Sequence, residues 1–167
     1  MRPGAKEKPD IALLRAGRRE RDFVQLTEDH LERIHEIERV SFANPWPAAD
    51  FHRAVHDQSA FCKGVEVRGE LRGYAIGYAV GTEVHLANFA IAPAHRRRGW
   101  ASDLLQYLIA QAWQMGCREC RLEVRTSNLA AVAFYKMHRF QPVGVYPRYY
   151  ENPREDALIM KRYIIEI

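Results

Sequence analysis

Asn88-Phe-Ala-Ile-Ala-Pro-Ala-His-Arg-Arg-Arg-Gly-Trp-Ala-Ser102 is the stretch whose reading decides the fold. It begins as an apolar strand that stops at Pro93, crosses a short basic loop, and turns at Gly99 into a helix. The helix is signalled by Ala101, Leu104, Leu105, Leu108, Ile109, Ala112 and Trp113, which recur at three and four residues and so share one face. Gly116 supplies a C-cap. A helix N-terminus offers N–H groups without helical partners, and the helix dipole favours negative charge there. Arg96, Arg97 and Arg98 add cations. The stretch reads as a seat for a pyrophosphate; the plainer alternative is an arginine-rich solvated loop before an ordinary helix. The chain contains no G-x-x-x-x-G-K-[ST] and no G-x-G-x-x-G, so neither a nucleotide hydrolase nor a dinucleotide dehydrogenase is indicated.

Outward from this stretch, residues 23–26 read as a first strand. Thr27 can N-cap a helix with Leu31, Ile34, Ile37 and Val40 on its buried face. Ser41-Phe-Ala-Asn-Pro-Trp-Pro47 breaks that helix, and a second short one covers 48–55. Strands at 61–67 and 71–80 join at Arg68-Gly69-Glu70, and a third covers 84–92. After the Gly99 helix come a strand at 120–125, a helix at 128–137, and strands at 140–146 and 157–163. Strands alternate with helices and outnumber them. That predicts one α/β domain with a mixed central sheet of six to seven strands and helices on both faces.

At 167 residues the chain can bury a sizeable core without disulfides or metal. No apolar run approaches the ~18 residues needed to span a bilayer, and Ile11-Ala-Leu-Leu14 is too short for a signal-peptide core. Three cysteines cannot all pair, so reduced cytosol is the expected compartment. The formal charge is +4, but residues 1–22 hold seven Lys/Arg against four Asp/Glu and carry +3 of it. The remaining +1 does not mark the folded domain, 23–167, as a nucleic-acid binder. Residues 1–22 read as a flexible basic extension, solvated or in contact with RNA or a ribosome surface.

In Cys120-Arg-Leu-Glu-Val-Arg125 the strand period sets Cys120, Leu122 and Val124 on one face and Arg121, Glu123 and Arg125 on the other. A carboxylate in mid-strand of a sheet covered on both faces must be paired or functional. Glu123 is therefore either half of an ion pair with Arg121 or Arg125, or a catalytic group. Tyr135, on the next helix, is either a core aromatic or a cleft residue facing Glu123.

Several motifs now add up. Arg96-x-x-Gly99-x-Ala101 after a strand ending in Ala92-Pro93 resembles the acetyl-CoA signature of the GNAT N-acetyltransferases. Leu122-Glu-Val-Arg-Thr-Ser-Asn128, with Ala130-Ala131 and Phe134-Tyr135, resembles the ribosomal-protein alanine N-acetyltransferases (RimI type). Phe42 with Pro45-Trp46, Asn88 to Pro93, and Tyr149-Tyr150 followed by Arg154-Glu-Asp-Ala157 are similar to the same family, in the same order.

The resemblance implies a GNAT fold whose sheet splays open to admit acetyl-CoA. It puts Phe89, Ala90 and Ile91 beside the pantetheine, with the Ile91 amide on the thioester carbonyl. Arg96, Arg97, Arg98, Gly99, Trp100, Ala101 and Ser102 would hold the pyrophosphate, and Asn128 the pantetheine arm. Glu123 would be the general base and Tyr135 the general acid. Trp46, Tyr149 and Tyr150 would flank the acceptor. The implied acceptor is a protein N-terminus, that of a small-subunit ribosomal protein beginning with alanine. Lysine or a small amine is the alternative acceptor, and a non-catalytic acyl-CoA-binding module the alternative class. A monomer or weak dimer is expected, without direct contact to nucleic acid or membrane. The chemistry agrees: an α-amine, pKa about 7.8, is about 3.5 kcal/mol easier to deprotonate than a lysine at about 10.4. One carboxylate acting through water is the more adequate base for the former.

Two positions depart from the family pattern. Trp100 replaces a small aliphatic residue, and His138-Arg139 replaces Leu-Gly, so a positive φ there would strain Arg139 by about 1–2 kcal/mol. Two further patterns are set aside. Cys117-x-x-Cys120 has no second cysteine pair and reads as structural thiols. His52-x-x-x-His56 lacks the Glu of H-E-x-x-H and reads as a solvated helix face. No metal site is expected.

Overall fold

The computed structural model describes residues 21–165. Most of the expected N-terminal extension lies outside the described residues. Its last two residues belong to the folded part: Arg21 pairs with Asp103, and Asp22 opens the first strand.

Seven strands form one sheet: β1 (Asp22–Gln25), β2 (Ala60–Val67), β3 (Glu70–Val80), β4 (Glu83–Ile91), β5 (Glu119–Arg125), β6 (Gln141–Glu151) and β7 (Arg154–Tyr163). Their spatial order is 1-2-3-4-5-7-6. All neighbours are antiparallel except β4 and β5, which run parallel. The helices are α1 (Leu31–Ser41), α2 (Ala48–His56), α3 (Trp100–Gln114) and α4 (Leu129–Met137). The sheet is covered on both faces, as the alternation of elements predicts. One core joins Leu104, Leu105, Leu108, Ile109 and Ala112 of α3, and Tyr135 of α4, to Cys120, Leu122 and Val124. The other joins Ile34 and Ile37 of α1, and Phe51 and Ala54 of α2, to Tyr74, Ile76 and Ala90.

Two irregularities in β4 position the site. Its register with β3 steps from Leu86↔Gly77 to Asn88↔Ile76, so Ala87 is an extra residue, a β-bulge. The insertion inverts the alternation. Val84 and Leu86 face the α3 core before it, Phe89 and Ile91 after it, and Asn88 and Ala90 turn to the other side. Further, β4 and β5 pair only over Glu83–His85 and Glu119–Arg121. Beyond these residues the two strands part, and a gap opens through the middle of the sheet.

Three expectations are corrected. Val40 is 66% exposed; the stripe continues from Ile34 to Glu38, which is 1% exposed. The first helical turn, Glu28–His30, is 3-10 rather than α. Tyr149 and Tyr150 lie in β6, not in a loop. The strand runs through Pro147, and the register steps from Tyr146↔Ala157 to Tyr150↔Glu155, two extra residues that hide its period.

Candidate active site

The gap between β4 and β5 opens into a cleft of about 940 Å³. One wall is β4 from Leu86 to Ile91 with the start of α3, and the other is the end of β5 with α4. Past His85 the β4 edge facing β5 carries no strand ladder, so its amides look into the cleft. Phe89 and Phe134 close one side, their rings stacked at 6.0 Å.

Gly99 is the N-cap of α3 with φ 80°, a left-handed conformation that glycine adopts at low cost, and no side chain caps the first turn. Trp100, Ala101 and Ser102, whose amides begin the helix, all line the cleft. The three arginines diverge. Arg97 lines the cleft with φ 63°. Arg96 also lines the cleft, but its donors are engaged: its Nε donates to Ile91 O at 2.9 Å and its Nη2 to Ser41 Oγ at 3.0 Å, fastening the end of β4 to α1. Arg98 lies off the cleft wall, its Cζ 5.7 Å from the Trp100 ring centre. Trp100 stacks on His95 at 5.3 Å. Ser102 Oγ is 2.9 Å from His138 Nε2. Asn128 caps α4, its Oδ1 accepting from the Ala131 amide at 3.1 Å, which leaves its NH₂ group for the cleft it lines.

Glu123 stands where the strands part, its side chain 10% exposed. His85 Nε2 lies 2.5 Å from its Oε2, and Arg121 Nη1 lies 3.5 Å from its Oε1. Arg125 is not a partner: its Nη1 donates to Pro153 O at 3.0 Å, and its Cζ sits 4.2 Å from the Tyr150 ring centre. Burial pushes the Glu123 carboxyl up, but the hydrogen bond and charge of His85, with the Arg121 charge, outweigh it. The group sits below the ordinary carboxylate range. Sequence reasoning missed His85. It lies on a strand from another part of the chain and meets Glu123 only through the parallel pairing of β4 with β5.

Tyr135 lines the cleft but is 9% exposed, packed against Phe134 and Phe140, and burial raises its pKa. Tyr135 belongs to the α3/α4 face of the sheet and Glu123 to the other face; the cleft joins them. Tyr150 lines the cleft, and burial pushes its hydroxyl up to about 12. Tyr149 stands edge-on to it at 5.0 Å, outside the cleft wall.

Trp46 lines the cleft and packs on Phe51 at 5.4 Å. Its backbone amide donates to Glu38 Oε1 at 2.8 Å. The Tyr74 hydroxyl donates to the same carboxylate, and so does Asn88 Nδ2, at 3.2 Å. Glu38 thus ties the loop after α1 to β3 and β4. Its position four residues after Ile34 on the apolar stripe was the available signal.

Residues 31–140 match the acetyltransferase (GNAT) family. The chain is 32% identical over 132 residues to the ribosomal protein bS18-alanine N-acetyltransferase of Escherichia coli, covering 78% of this chain and 88% of that protein. It is 35% identical over 143 residues to the N-alpha-acetyltransferase RimI of Mycobacterium tuberculosis, covering 82% and 89%. The crystal structure of the Escherichia coli ribosomal-protein alanine N-acetyltransferase superposes with a TM-score of 0.80 at 30% identity, over 86% of this chain and 94% of that one. Arabidopsis thaliana NAA60 in complex with acetyl-CoA shares the fold, with a TM-score of 0.78 at 20% identity over 86% and 98%. A sheet that parts beside an uncapped helix, with relatives of this kind along most of its length, leads to one conclusion: the chain belongs to the acetyltransferase (GNAT) family and is an acetyl-CoA-dependent N-acetyltransferase.

Proposed function

We propose that this enzyme acetylates the N-terminal α-amine of a protein, with the N-terminal alanine of a small-subunit ribosomal protein as acceptor. The observation that carries this reading is Glu123, an acidic carboxylate held by His85 at the mouth of the parted strands. A carboxylate below the ordinary range is a weak base. It suits an α-amine, already partly neutral near pH 7.8, better than a lysine about 2.6 units more basic. The names of the relatives, an alanine N-acetyltransferase and an N-alpha-acetyltransferase, support the same acceptor.

The residues of the cleft fit acetyl-CoA. An uncapped α3 N-terminus with Arg97 beside it suits a pyrophosphate, and the unladdered β4 edge suits a polar arm that bonds as a strand does. When bound, acetyl-CoA supplies an acyl group activated as a thioester. The Ile91 amide then donates to the carbonyl oxygen as negative charge develops there. Glu123 takes a proton from the incoming amine through a water, and the Tyr135 hydroxyl returns one to the departing thiolate. Trp46 and Tyr150 form the acceptor side of the cleft, with Tyr149 edge-on to Tyr150. Arg96 acts by holding the end of β4 in place. Assaying peptides that differ only in their first residue tests the assignment. Preference for an alanine start, with no activity on an N-terminally blocked lysine peptide, is expected; indifference to the first residue contradicts it.

A further inference from the structure

Outside the cleft, a second group of ligating side chains converges. His52 and His56 sit one turn apart on α2, with ring centres 4.7 Å apart. Glu28, from the 3-10 turn before α1, reaches across to both. Its Oε1 lies 3.2 Å from His52 Nε2 and 2.7 Å from His56 Nε2. One ligand atom of each residue lies within 4.8 Å of the other two, and none of the three lines the cleft. A carboxylate ligand for the His52-x-x-x-His56 pair is therefore supplied by another element.

We propose that Glu28, His52 and His56 bind one divalent transition cation of the zinc class, with water completing the coordination. Two imidazoles and one carboxylate form a recognised donor set for such ions, and an i, i+4 histidine pair presents both Nε2 atoms to one point. A tetrahedral centre with bonds of about 2.0–2.1 Å spaces its ligand atoms about 3.3 Å apart. The Glu28–His52 separation already matches, and the Glu28–His56 separation must open by about 0.6 Å. The side chains are 55–59% exposed, so rotamer changes can supply that movement. The ion replaces a shared hydrogen bond with a three-way tie between α2 and the turn before α1. Because α2 follows directly on Trp46-Pro47, that tie braces the acceptor side of the fold.

The test is titration of the untagged full chain with Zn²⁺ in competition with a chromogenic chelator. Expected is one equivalent bound by the wild type, with affinity falling at least about tenfold in the double variant His52→Ala/His56→Ala. Zn²⁺ should raise the melting temperature of the wild type and not of that variant. The variant's acetyl transfer measured in chelator should equal the wild type's, which separates loss of the ion site from damage to the enzyme. One-to-one binding that persists in the double variant, or its absence in the wild type, overturns the proposal.

Discussion

His85 of β4 and Glu123 of β5 meet at 2.5 Å at the point where the parallel strands cease to pair. The contact joins the two walls of the cleft at the residue proposed as base, and it holds that residue acidic against burial. Replacing His85 with Ala leaves burial opposed only by Arg121 and a backbone hydrogen bond, so the Glu123 carboxyl rises and the acid limb of kcat/KM moves to higher pH. A pH–rate profile of His85→Ala checks this; an unmoved limb contradicts it.

The same contact sets a stability window. Glu123 is held below its unfolded value of about 4.3, so it stabilises the fold above that pH and the contribution is lost as pH falls through the folded value. Urea unfolding at several pH values should show a shallower acid loss in His85→Ala than in the wild type. Parallel curves would mean that the bond does not persist in solution.

Tyr135 is buried and its pKa is raised, so it stays protonated throughout the assay range and contributes no basic limb. Tyr135→Phe keeps the ring contacts with Phe134 and Phe140 while removing the proton donor. Expected is a fall in kcat of about 10²-fold or more, with both KM values little changed. A variant with wild-type kcat would remove Tyr135 as the acid.

Glu38 accepts from the Trp46 amide, the Tyr74 hydroxyl and the Asn88 amide in a buried setting. Glu38→Ala leaves these donors unpaired, at about 3 kcal/mol of stability. Loosening Trp46 should raise KM for the acceptor peptide more than for acetyl-CoA. Urea unfolding with initial-rate kinetics measures both; equal KM changes would deny Glu38 a role in placing the loop.

Arg139 adopts φ 67° in the turn after α4, where the family pattern has glycine. Arg139→Gly should relieve about 1–2 kcal/mol of strain. Some of that is returned to the freer unfolded chain, so the melting temperature should rise by about 1–3 °C. A calorimetric scan showing a decrease would contradict this.

The helices were legible because their signal is local. The stripe from Ala101 to Trp113 needs only its own spacing, and Gly99 needs only its turn. Glu123 was legible for the same reason, since period two places it opposite Leu122 and Val124. What escaped depends on pairing between distant segments or on one added residue. The bulge at Ala87 leaves no local mark in the strand's sequence, yet it decides which way Phe89 faces. His85 acquires meaning only through the register of β4 against β5, and Glu28 only where the turn before α1 meets α2. The apolar spacing puts Val40 on the buried face, because nothing local marks a carboxylate such as Glu38 as the residue that is buried there. Pro147 and two extra residues break the period of β6, so sequence spacing ends that strand at Tyr146 and leaves Tyr149 and Tyr150 outside it.

The measurement that bears most directly on the proposed mechanism is the pH dependence of kcat/KM for Glu123→Gln beside the wild type, on a peptide beginning with alanine. Glutamine keeps the shape and can still accept from His85, but it cannot take a proton. A loss of about 10²–10⁴-fold is predicted, with acetyl-CoA affinity unchanged. A variant that matches the wild type across the pH range would show that the amine loses its proton elsewhere.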